Sequence, residues 1–174
     1  MIKDTISVYD DAVLLEIPFS ACVLYHGRDS IGGLSLGFRM LQWALKELCG
    51  ERIPERKEIS FKTAFPGPGL RDAVEMVTRA VTRKTYDVLD TFPTEAPEGV
   101  YGRMYFEVSV GEKQICFYLK PGVIPEKFVL TGREIKKGSP SEIQKKEWRQ
   151  LKDALSDAVW SIDDMSSVFV IVKK

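Results

Sequence analysis

Residues 101–119 read Tyr-Gly-Arg-Met-Tyr-Phe-Glu-Val-Ser-Val-Gly-Glu-Lys-Gln-Ile-Cys-Phe-Tyr-Leu, and their pattern decides what kind of fold this chain adopts. On either side of Gly111-Glu112, apolar and polar residues alternate with the two-residue period of half-buried strands. A two-residue connection that starts with glycine suits the tight reversal of a hairpin. The spacing therefore predicts strands over 101–110 and 113–119, paired antiparallel.

Shorter strands are expected over 6–9 and 13–17, with Asp10-Asp11 as their turn, over 59–65, and over 167–172. Between them the period lengthens. Pro18 opens a short helix that ends at His26-Gly27. Leu34, Phe38, Leu41, Leu45 and Leu48 recur at helical spacing, so a long helix runs over 33–49 and stops at Gly50. Arg39 sits in the middle of its apolar stretch and expects a carboxylate partner. Leu70, Ala73, Val74 and Val77 define a helix over 70–81, after a Pro66-Gly67-Pro68-Gly69 turn that no strand can continue. Ser139-Pro140-Ser141-Glu142 reads as a capping box with proline in the first turn. It opens a helix to about 161 whose buried stripe is Ile143, Leu151, Ala154, Leu155, Ala158 and Val159. Residues 51–58 and 91–99 are surface connections. Strands and helices mixed in this way indicate an α+β single domain, an antiparallel or mixed sheet packed against helices, with its core over about 19–121 and a C-terminal helix and strand over 140–172.

The 174 residues carry 25 basic and 25 acidic side chains, so no net field draws the chain to nucleic acid or anionic lipid. Arg133–Lys137 and Lys145-Lys146 stand among acids and read as solvated faces. Three cysteines, an odd number without close pairing, suit a reducing compartment. No basic, apolar leader opens the chain, and no apolar run approaches the ~20 residues that cross a bilayer. The expectation is a soluble cytoplasmic protein without nucleic-acid or membrane partners.

Function concentrates in residues 25–41, Tyr-His-Gly-Arg-Asp-Ser-Ile-Gly-Gly-Leu-Ser-Leu-Gly-Phe-Arg-Met-Leu, which hold the single histidine, His26, beside a glycine-rich helix start. Free amides at such a start favour anions, and an imidazole adds a metal ligand or a proton carrier. A histidine hydrogen-bonded at a helix end is the plain alternative. Asp29 and Ser30 either cap the next helix or join a site. Asp72 fits a helix start on dipole grounds alone. Lys84 and Arg83 either meet an anion or are solvated. The Pro-Gly-Pro-Gly run is a rigid turn or a backbone wall for a ligand. Cys22, one helical turn before His26, is a buried thiol or a nucleophile beside a base.

His26-Gly27 followed by Leu36-Gly37-Phe38-Arg39-Met40 resembles the signature of the formylmethanofuran dehydrogenase E-subunit family, His-Gly-His-x-Cys-Pro-Gly and then Leu-Gly-Tyr-Arg. The strand Ile59–Phe65, the helix start Asp72-Ala73-Val74-Glu75 with Lys84 beyond it, and Leu119-Lys120-Pro121 are similar to later family blocks in the same order. The family's second histidine falls at Arg28, its Cys-Pro at about Ser30-Ile31, and further cysteines in the 66–69 turn and near Ala80. Members with those thiols are equipped for a divalent metal such as zinc. Here the resemblance implies a degenerate site with His26 as its one inherited metal ligand.

It further implies an accessory protein of one-carbon metabolism, a homodimer that accompanies a molybdenum or tungsten enzyme. On this view His26 touches a small anionic ligand, the Gly32 and Gly33 amides receive its oxygen, and Asp29, Ser30, Asp72 and Lys84 complete the shell. Two other readings stand beside it. One is a small enzyme with His26 as acid/base, oriented by Asp29 or paired with Cys22. The other is a purely structural partner protein.

Overall fold

A computed structural model describes residues 4–173. The expected α+β architecture is present. Strands β1 (Thr5–Asp10) and β2 (Val13–Pro18) form a separate two-stranded hairpin. Their turn is Asp11-Ala12, one residue later than expected, with φ of 51° and 63° at the two positions. Helices α1 (Phe19–His26) and α2 (Ile31–Cys49) follow, and α2 ends on Gly50 at φ 60° as its sequence requires.

The main sheet is ordered β4-β3-β5-β6-β7. Its strands are β3 (Ile59–Thr63), β4 (Tyr86–Val88), β5 (Tyr105–Val110), β6 (Lys113–Leu119) and β7 (Phe169–Ile171). The β5–β6 hairpin lies in the sheet's interior, in the register that places Val110 opposite Lys113 and Tyr105 opposite Tyr118. Only β4 runs parallel to its neighbour, β3, so the sheet is mixed. One face carries Phe61, Phe106, Val108 and Phe117, all fully buried in one core with the apolar face of α2 and with α3 (Pro68–Thr78). Trp43 of α2 meets Phe117 edge-on at 4.9 Å and stacks on Phe169 at 4.7 Å, which ties the last strand to the central helix. On the other face the 91–99 connection buries Ala96 against Tyr105 and Cys116.

Two elements have no strong sequence signal, β4 and α4 (Glu126–Lys137). Helix α5 (Glu142–Trp160) is present as expected, but its details differ. The capping box is Ser141 with Gln144, whose side chains bond each other's backbone amides. Ile143 is 81% exposed, and Ala154 and Ala158 are exposed too. The buried side of α5 is Lys152, Leu155, Ser156 and Val159, because α5 meets α2 only from its middle onward, through a Ser35–Ser156 hydroxyl hydrogen bond among other contacts. Among the described residues, Arg39 finds no carboxylate within ion-pair distance. It donates to the Ile162 carbonyl and to Gln42 and lies 5.6 Å from the Trp160 ring. No helix among the described residues is long and apolar enough to cross a membrane.

Candidate functional site

His26 is the last residue of α1, and Gly27, at φ 79°, turns the chain back over it. The reversal lets the Ser30 amide donate to Nε2 at 3.2 Å, while Nδ1 lies 2.8 Å from a carboxylate oxygen of Asp72 on α3. An Nε2 that accepts must be unprotonated, so Nδ1 carries the proton and donates it to Asp72. Both nitrogens are engaged and the side chain is 7% exposed. Asp72 stands beside His26, within the shell that the sequence suggests. Asp29, the expected orienter, does not; its carboxylate pairs with Lys152 on α5.

Two expectations meet obstacles in this arrangement. A metal at His26 would need a free ring nitrogen and further donors. Neither nitrogen is free, and no group of three or more His, Cys, Asp or Glu among the described residues could hold an ion. Zinc therefore does not fit the donor set. Acid/base catalysis would need Nε2 within reach of a substrate proton, and the Ser30 amide occupies that position. Burial pushes the Cys22 thiol up to about 12, which favours the reading of a buried structural thiol. The imidazole is a brace between the α1–α2 turn and α3.

What the brace holds in place is a cleft. The first turns of α2 and α3 lie against each other with almost no side chain between them. A Cβ on Gly69 would come within 2.5 Å of the Ser30 carbonyl oxygen, and one on Gly37 within 3.0 Å of the Leu70 Cα. Gly32 faces α5 instead, where a Cβ would meet Leu155 at 2.8 Å. Close approach of backbone and neighbour requires these glycines, a structural role that no local pattern announces.

Neither helix start is capped by a side chain: Ser30 and Gly67 hold the cap positions of α2 and α3, and neither provides a capping hydrogen bond. The capping role open to Asp29 and Ser30 is thus not taken. Both starts border a narrow cleft of about 70 Å³. Opposite them stand Phe65, Tyr101, Met104, Phe128 and Trp148. Pro68 begins α3, so half of the Pro-Gly-Pro-Gly run is helix and all but its first residue borders the cleft.

One charged side chain enters this apolar space from α5. Lys152 has a side chain 9% exposed, with Nζ 3.1 Å from Asp29 and 5.7 Å from the centre of the Trp148 ring. Asp29 is 87% exposed. Burial first, and then the Asp29 charge, holds the Tyr101 phenol above its ordinary value, so it faces the cleft as a neutral donor.

Of the expected shell, Asp29, Ser30, Gly32 and Gly33 border the cleft, while His26 and Asp72 brace it from behind. Lys84 does not belong. It lies past the far end of α3, a helix of 11 residues and therefore about 16 Å long. Lys152 and Tyr101 have no place in the shell read from sequence, and neither does Trp148. The available signal is a lysine at helical spacing within the stripe Trp148, Lys152, Leu155, Val159. No protein-family model matches the chain, and no curated protein matches it significantly.

Proposed function

We propose that this chain binds a small organic anion with an apolar body, its charged end at Lys152 and its body among the aromatic walls of the cleft. One observation carries this: a buried amino group in apolar surroundings, faced by two helix starts that no side chain caps. A buried cation is costly unless paired. Among the described residues Lys152 has one ion-pair partner, and that partner is an exposed carboxylate free to swing into water. A ligand oxygen in its place gains the ammonium together with the unpaired amides at the starts of α2 and α3.

Calorimetric titration with benzoate and with cyclohexanecarboxylate tests this directly. Both are expected to bind, and Lys152→Met, which keeps the volume and removes the charge, should weaken them by about tenfold. Equal affinity in wild type and Lys152→Met, or no heat from either carboxylate, rejects the site.

The resemblance to the formylmethanofuran dehydrogenase E-subunit family supports an accessory role in place of catalysis. We extend it to a cytoplasmic homodimer that delivers or senses such a ligand for a molybdenum or tungsten enzyme. The metal of related chains is not part of the proposal, because their thiols have no counterpart here.

A further inference from the structure

The cleft adjoins a second depression, a groove between α4 and α5, and Asp29, Tyr101, Trp148 and Lys152 line both. Five cations border that groove, Arg28, Lys136, Lys145, Arg149 and Lys152, against one acid, Asp29. A chain with no net charge has concentrated basic residues beside this apolar cleft.

Their pairing leaves them available. Arg28 pairs with Asp153 and Lys145 with Glu142, each between exposed groups, so these contacts contribute little and yield readily to a stronger anion. Lys136 forms no ion pair among the described residues and lies 4.0 Å from the centre of the Tyr101 ring, which fixes its ammonium beside the cleft. Arg149 forms no ion pair among the described residues and presents a planar fork suited to two oxygens of a tetrahedral anion.

Resting on the function proposed above, we infer that the ligand is an organic phosphate: its apolar group enters the cleft, and its phosphate stays in the groove between Lys152, Lys136 and Arg149. A lone carboxylate would need only Lys152 and the helix starts. A dianion with three oxygens has use for several cations set around an open groove. Gly32 and Gly69 line the cleft but not the groove, so the apolar group sits beyond the phosphate, against the helix starts.

The test compares phenyl phosphate, benzoate, phenol and inorganic phosphate by calorimetry at fixed low ionic strength, with wild type, Arg149→Gln and Lys136→Gln. Phenyl phosphate is expected to bind about tenfold tighter than benzoate and tighter still than phenol or inorganic phosphate. Each variant should weaken phenyl phosphate by about fivefold while changing benzoate by less than about twofold. Both substituted side chains lie on exposed helix surface, so folding is not at stake. If benzoate equals phenyl phosphate and neither variant separates them, the inference fails while the carboxylate site stands. If none of the four probes binds, both fall.

Discussion

At His26 a single ring does what a longer loop would otherwise need several contacts to do. Its Nδ1 proton goes to Asp72, 46 residues away in sequence, and its Nε2 receives the Ser30 amide four residues on. Replacing it with alanine leaves a half-buried carboxylate and a backbone amide without those partners. His26→Ala is expected to cost about 1–3 kcal/mol, read as a lowered midpoint in urea or thermal unfolding. Added zinc should not change the wild-type midpoint, since a metal that found a site in the folded state would raise it. Asp72 enters one shell with His26 only through the family resemblance, since its own position announces no more than a helix start. The importance of Lys152 is not legible in the sequence. Periodicity sorts residues by polarity, and a lone cation inside an apolar stripe counts as solvated until the fold shows what covers it. Lys136 reads as solvated from its acidic neighbours, and its exposure is real, but the ring it sits against comes from a distant loop.

Among the elements, α2 and the β5–β6 hairpin could be read directly because each repeats its period over several turns or residue pairs. Helix α4 could not. Its apolar contribution is Phe128, Val129, Gly132 and Ile135 scattered among charges, and its aromatic anchor, Phe128 against the Trp148 ring at 4.6 Å, is a tertiary contact with no local trace. Strand β4 has three residues, too few to show alternation, and exists because β3 offers it a parallel edge. The exposure of Ile143 has the same origin, since a stripe continues past the point where there is anything to pack against. The contact between α2 and α3 supplies the test at this scale. Gly69→Ala would drive a methyl into the Ser30 carbonyl and the Leu34 amide, both backbone, so neither can rotate away. Overpacking of this kind is expected to cost about 1–3 kcal/mol and to weaken benzoate binding through displacement of the α2 start. Unchanged stability in chemical denaturation would show that the two helices can separate.

For the whole molecule, the sheet and helices share one continuous core, and the cleft lies at the edge of that core where α2, α3 and α5 meet. The fold class followed from the sequence because it depends on long, regular elements. The cleft did not, because it is assembled from separated stretches whose only common property is position. Apolar residues on β2 and α1, among them Val13, Leu14, Leu24 and Tyr25, are exposed. The proposed homodimer is checked by light scattering coupled to size exclusion, where a mass near twice 19.7 kDa is expected and a mass of one chain rejects it.

Backbone packed on backbone at the starts of α2 and α3 makes those two helices behave as a single stiff bracket. Whatever adjustment an incoming molecule demands must then come from the opposite side, where side chains instead of main chain form the boundary. If the proposed ligand binds there, discrimination by size would belong to Phe128 and Trp148, where substitutions leave the bracket undisturbed.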